Sequence, residues 1–474
     1  MSAITATSPV NPRKTAIVVG SGLAGLSAAS QLLSHGISVH LLERAQKPGG
    51  NSIKASSGIN GAPTSYQPAV DTAFYSDTVK SAGKTLFWTR TKAREDLIST
   101  LTGSSKGAIE WLVSEIGVDL SVVAQLGGHS VARTHRGKGK TPPGASIIIA
   151  LLKILKENAE FKLETGCTVT KVLKTGNVIQ GVEYVCEEGE RVVMGPVVFA
   201  SGGFAGDPNG MLAVYRPDLK GYPSTNEPRP GSQTLLTSVG AQLLDMEQVQ
   251  VHPTSFVDPS DVSNPVKFLA AEMLRGEGGL LLDGQGTRFV DEMQTRKVVT
   301  SAITALEEAR EEGPRQWDVR IVLDEGVYES ARSHVDFYLW KGLMQKTTIA
   351  DLGPRALESI KVFADAAAGR RGDSLGRQSF GHWSLSDPTA ESVVYAGRVT
   401  PAVHFTMGGV VINEMAEVLG PGDERIEGLW AAGEVTGGVH GENRLGGSSL
   451  LECVVFGRIA GHEAAIFVGA GRKH

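Results

Sequence analysis

The 474-residue chain carries 46 Lys plus Arg against 51 Asp plus Glu, a formal net charge of −5, with 41% hydrophobic residues, 58 glycines and 21 prolines. That length exceeds one ordinary hydrophobic core and suggests roughly two to three domains, while the composition excludes a disordered or fibrous chain. The near balance of charge, without a long run of one sign, excludes a general affinity for nucleic acid or an anionic membrane surface; a small anionic substrate would need a local basic pocket.

Residues 2–14 contain no acid and end in Arg13-Lys14, which reads as a frayed terminus, with a short organellar presequence as the alternative. No apolar run approaches bilayer length, so a soluble, cytoplasmic protein is expected, with a mitochondrial location as the alternative. Thr15–Val19 is a buried strand by its β-branched run, 23–34 a helix, and 38–42 a second strand, together one βαβ unit. Further strands are expected at 169–173, 181–185, 197–200, 320–323 and 410–412. Between about residues 249 and 397 the pattern changes to helices and irregular loops, including a helix over 296–312 that ends at Gly313-Pro314. The chain then returns to β structure and closes with a long apolar helix from Ser448 to about Val468. Cys167, Cys186 and Cys453 lie far apart without C-x-x-C or C-x-x-C-H spacing, excluding a disulfide framework, haem attachment and a cysteine-bound cluster. A reducing compartment and no metal are expected.

The run Gly20-Ser-Gly-Leu-Ala-Gly25 follows a strand and opens a helix, so backbone N–H groups and the positive helix end can face a pyrophosphate. Gly22 lets the backbone approach closely. Glu43 ends the second strand about 20 residues on, where a carboxylate can bind ribose hydroxyls and repel a 2′-phosphate. A tight strand-to-helix turn is the alternative for the glycines alone; both flanking elements and Glu43 favour a dinucleotide site. FAD is favoured over NAD by Ala200-Ser201-Gly202-Gly203 and Ala431-Ala432-Gly433-Glu434, each after a strand. The helix that follows Gly446-Gly447 with Ser448 and Ser449 could aim its positive end at a flavin ring.

From the glycine loop to the last helix, the chain resembles the flavoprotein family of soluble fumarate reductases. The resemblance rests on Gly20–Gly25, Gly49-Gly-Asn51-Ser52 with Ala55-Ser-Ser57-Gly58, Val251-His252-Pro-Thr254, Glu272-Met-Leu-Arg275-Gly276, Arg288-Phe-Val-Asp-Glu292 with Thr295-Arg296, His404-Phe-Thr-Met-Gly-Gly409 and Gly441-Glu-Asn-Arg444-Leu-Gly-Gly447. It implies an α/β fold, a Rossmann-like FAD-binding domain (1–248 and 396–474) interrupted by an α+β capping domain (249–395). Gly20, Gly22, Leu23, Ala24, Gly25, Glu43, Arg44, Asn51, Ser52, Ser57, Gly58, Gly202, Glu434, Ser449 and Leu450 are the implied cofactor contacts. In membrane-bound relatives a histidine attaches the flavin; the matching position is Ser52, so noncovalent FAD is implied.

The resemblance assigns His252, Glu272, His404 and Arg444 to substrate binding, Arg296 to proton donation, and Glu272 and Arg275 to a proton relay. Fumarate and succinate are the implied substrates, reduced flavin or another small molecule the electron donor, and a monomer the expected state. A guanidinium is ordinarily charged at all working pH values, so Arg296 would be neutral only fleetingly before Glu272 returns a proton. Taken singly, His252 and His404 read as structural histidines, Arg444 as an ion-pair partner, and Glu272 with Arg275 as a surface pair. Three positions depart from the usual bacterial pattern: Ala271 for Thr, Ser232 for an acid, and Lys297 for Asp. The competing readings are a reductase or dehydrogenase of another unsaturated acid or ketone, such as urocanate or a ketosteroid, an aspartate oxidase, or a non-catalytic flavoprotein redox sensor.

Overall fold

The computed structural model describes residues 15–67, 69–139, 141–309 and 313–469. β1 (Thr15–Val19) is buried at all five positions, as its unbroken apolar and β-branched sequence requires. It feeds through Gly20–Gly22 into α1 (Leu23–Ser34), and β2 (Ser38–Glu43) returns parallel to β1. The main sheet runs Phe161–Thr165, β2, β1, Val197–Phe199, Arg425–Ala431, Val178–Cys186, Thr168–Thr175. Pairing is parallel from Phe161–Thr165 as far as Val178–Cys186 and antiparallel for the last pair. β1 leads to β2 on one side and has Val197–Phe199 on the other, so the strand order reverses at its carboxyl end, where open α/β sheets form their ligand crevice. The last helix, Ser448–Gly469, packs on α1, and its apolar residues complete the same core as β1 and β2.

A second, antiparallel sheet runs Phe268–Leu269, Val249–Phe256, Val393–Thr406, Val319–Leu323, Leu280–Asp283, with Gln345–Thr348 also paired to Val393–Thr406. Its core includes Phe256, Ile321, Trp317 and Tyr338.

Three expectations are corrected. The middle of the chain is organised around a sheet, not mainly helices and loops: strands such as Leu280–Asp283, short and bounded by glycine, give little period for a sequence to display. The helix expected over 296–312 stops at Thr304, and Glu308–Ala309 pairs with Gln316–Trp317. Beyond Leu306 the sequence Glu-Glu-Ala-Arg-Glu-Glu has no apolar face to bury, and Arg315 holds Glu308 across the hairpin at 2.9 Å instead; residues 310–312 of that expectation lie outside the described residues. Cys167 and Cys186 form a disulfide, while Cys453 is buried and free. Their separation conceals a hairpin that pairs Thr168 with Val185 and so brings the flanking cysteines together. The segment read as a terminus or presequence also lies outside the described residues. No described helix is long and apolar enough to cross a membrane.

Candidate active site

One cavity of about 650 Å3 runs from the glycine loop to the second sheet, within the usual range for cofactor and ligand sites. At one end the turn between β1 and α1 is locked by contacts only glycine permits. Gly20 has φ +102°, and a Cβ on Gly25 would lie 1.9 Å from the Gly20 carbonyl oxygen. Gly22 differs: the nearest atom to its Cβ position is Ser52 Oγ at 3.6 Å, so its surroundings leave room for a ligand. Gly22 precedes α1 as its N-cap and offers no side-chain cap, and Leu23 N donates to Ser52 Oγ at 3.1 Å. This cradle fits a dinucleotide pyrophosphate.

Glu43 lines the cavity, but its carboxylate also binds the loop: Oε2 accepts from Ser21 N at 2.9 Å and Ser21 Oγ at 2.5 Å, and Oε1 from Ala45 N at 2.8 Å. It is therefore a strut of the glycine turn as well as a cavity-lining acid, a role that spacing alone does not suggest. Arg44 donates to the Pro230 carbonyl and leaves its buried Nη2 without a partner; burial lowers its pKa to about 10. Gly20, Gly22, Leu23, Ala24, Arg44, Asn51, Ser52, Ser57, Gly58, Gly202, Glu434, Ser449 and Leu450 all line this cavity, whereas Gly25 lies behind the wall as the turn's packing residue. Asn51 donates to Asn226. Glu434 accepts from Thr406 N at 2.9 Å, and burial raises it to about 7. Ser232, the position of the missing acid, shares a 2.5 Å hydrogen bond with Ser201.

At the other end, three of the expected residues reach the cavity wall: Arg296, His404 and Arg444. His252, Glu272 and Arg275 stand directly behind them, each at most 1% exposed. Arg296 Nε donates to Glu272 Oε2 at 2.8 Å, and its Nη2 makes a second contact with the same oxygen. The other oxygen, Glu272 Oε1, is 3.6 Å from Arg275 Nη2, and both are buried without a hydrogen-bond partner. Burial opposes ionisation of Glu272, but Arg296 and Arg275 hold its pKa below the ordinary carboxylate value. Glu272 and Arg275 are thus not a surface pair.

The His252 and His404 rings lie 5.3 Å apart. His252 Nδ1 is 2.9 Å from the Thr254 carbonyl oxygen and its buried Nε2 has no partner; His404 Nδ1 is 2.8 Å from Thr225 Oγ1. Burial, then Arg296, pushes both imidazoles well below their ordinary pKa, so both are neutral at pH 7. Arg444 lies over the Phe405 ring at 4.3 Å with its Nε unpartnered, and burial followed by Arg296 lowers its pKa to about 9. Ala271 N donates to Tyr338 Oη at 3.2 Å.

Gln250 was not singled out from the sequence. Its Oε1 accepts from Arg296 Nη1 at 2.8 Å and from Arg444 Nη2 at 3.1 Å, joining the two cavity arginines. The available signal was its place two residues before His252 on a strand, which puts both on one face. The hub behind Arg275 was also missed: Glu292, 0% exposed, pairs with Arg288 at 2.8 Å and Arg377 at 2.9 Å, and its carbonyl accepts from Arg275 Nη1 at 2.7 Å.

A family model described as an FAD binding domain matches residues 15–450. The chain is 45% identical to fumarate reductase 1 of Saccharomyces cerevisiae, covering 95% of this chain and 98% of that protein. It is 38% identical to the fumarate reductase of Schizosaccharomyces pombe, covering 95% and 89%. Among solved structures, the open conformation of a flavocytochrome c3 fumarate reductase aligns with a TM-score of 0.73 at 30% identity, covering 97% of this chain and 79% of that one. The chain therefore belongs to the fumarate reductase family of FAD-binding flavoproteins and is an FAD-dependent oxidoreductase acting on CH–CH groups.

Proposed function

We propose that this protein reduces fumarate to succinate, with FAD held noncovalently and Arg296 delivering the proton. The observation that carries the reading is the convergence of Arg296 and Arg444 on Gln250 Oε1, beside His404, at the wall of the cofactor cavity. Of the two guanidinium groups on the cavity wall, Arg296 is ion-paired with Glu272 while Arg444 makes no ion pair among the described residues, which leaves positive charge there suited to a dicarboxylate. Reduced FAD supplies a hydride when bound. Arg444, with its unpartnered Nε, takes one substrate carboxylate, and His404, on the cavity wall, takes the other, with the His252 ring 5.3 Å behind it. Such preorganised donors stabilise the charge that builds on a carboxylate as hydride arrives.

Arg296 gives its proton to the second alkene carbon. Arg275 passes a proton to the Glu272 carboxylate through Oε1, Glu272 hands it through Oε2 to the Arg296 guanidine left neutral by the transfer, and solvent restores Arg275. Ser52 supports noncovalent attachment: a hydroxyl stands where an imidazole would be needed, and it is committed to Leu23 N. Electrons arrive from reduced flavin or another small donor. The test of the proton step is Arg296→Ala, assayed anaerobically by fumarate-dependent oxidation of a reduced dye. Turnover should fall by about 10²- to 10⁴-fold with FAD still bound; near-normal turnover would remove Arg296 from that role.

A further inference from the structure

The two cavity arginines are like charges held on one acceptor, Gln250 Oε1, so something must keep them together when no substrate is present. The chain beside each of them is joined to the other. The Arg296–Thr304 helix is weakly capped by its own Thr295, whose Oγ1 accepts from Val298 N at 3.5 Å. The Lys297 N–H of the same first turn donates to Asn443 Oδ1 at 3.3 Å, from the residue preceding Arg444. Asn443 is itself fixed: its Nδ2 donates to Ser81 Oγ at 2.7 Å, and Ser81 Oγ donates to its carbonyl at 2.7 Å. One residue earlier, Glu442 Oε1 accepts from Lys84 N at 2.8 Å and Thr85 N at 3.2 Å, while its Oε2 pairs with Lys297 Nζ at 2.5 Å.

We propose that Lys297, Glu442 and Asn443 are positioning residues that form a latch, pinning the start of the Arg296 helix to the Arg444 loop and setting the spacing at which the two guanidinium groups grip a dicarboxylate. The inference rests on the fumarate reading above. None of the three touches the reacting atoms. Glu442 and Asn443 are anchored to 81–85, so the Lys297 contacts are the separable half of the latch: the backbone N–H caps the helix, and the ammonium supplies the charge.

The test uses the FAD-loaded enzyme with Lys297 replaced three ways. Lys297→Arg keeps the charge and should leave KM for fumarate within about twofold of wild type, Lys297→Met should raise it about two- to fivefold, and Lys297→Glu, facing Glu442, should raise it about tenfold, with kcat less affected. The gap between the Arg and Glu variants should narrow in 0.5 M KCl (~4 Å Debye length), which a purely steric role would not produce. Hydrogen exchange of 296–300 and 442–446 without substrate provides a second readout, fastest in the Glu variant and wild-type-like in the Arg variant. If wild type fails to turn over fumarate, the functional reading falls while exchange still decides the latch. Equal KM and equal exchange in Lys297→Glu and wild type, or a salt-independent gap, would overturn it.

Discussion

Gln250, which is buried, and Glu434, which is partly buried on the cavity wall, show how single groups shape this site. Gln250 Oε1 is the common acceptor for Arg296 and Arg444, so Gln250→Leu leaves two like charges facing each other without it. Because hydrogen bonds to charged groups contribute about 1.5–3 kcal/mol, kcat/KM for fumarate should drop about 10- to 100-fold in steady-state assays, with FAD content unchanged. Burial raises Glu434 to about 7 from an ordinary value of 4.5. The folded chain then holds a proton that the unfolded chain releases, so this stabilisation is complete below pH 4.5 and fades as pH rises through 7. In urea titrations of the deflavinated protein, wild type should lose about 2–3 kcal/mol more than Glu434→Gln between pH 5 and pH 8. Equal losses in the two proteins would show that Glu434 does not titrate in this window.

Elements differ in how much of them the sequence discloses. β1, α1 and the last helix were legible because continuous apolar runs are bounded by glycine or serine and packed into one core. The Gly20–Gly25 turn was legible for the same reason its residues cannot change: Gly25→Ala would drive a methyl into the Gly20 carbonyl, 1.9 Å away. That variant should purify with little or no FAD, read from its visible absorbance. Strands such as Leu280–Asp283 were hidden because they are short and buried on both faces, leaving no alternation. The Cys167–Cys186 bond was hidden because it depends on hairpin register, which cysteine spacing does not encode. The polar residues of the candidate site were recognisable as motifs, yet the division between those on the cavity wall and those behind it arises only when strand 249–256 and helix 296–304 meet.

At the scale of the whole molecule, a nine-stranded sheet presents the cofactor cradle and a six-stranded sheet contributes the charged end of the same cavity. This arrangement brings residues separated by hundreds of positions to one small volume, and under the proposed function substrate choice depends on how the two sheets hold Arg296 against Arg444. Ala271 has no side-chain hydroxyl, so the proposed function assigns discrimination to the arginines and histidines. The central claim is tested most directly by anaerobic steady-state kinetics of the purified, FAD-loaded protein with fumarate, urocanate, crotonate and succinate. The account predicts that fumarate is reduced with a kcat/KM at least about 100-fold above urocanate and crotonate, the penalty for leaving buried charged donors unmatched. Preferential reduction of urocanate or crotonate, or no turnover of any acid by protein with bound FAD, would contradict it.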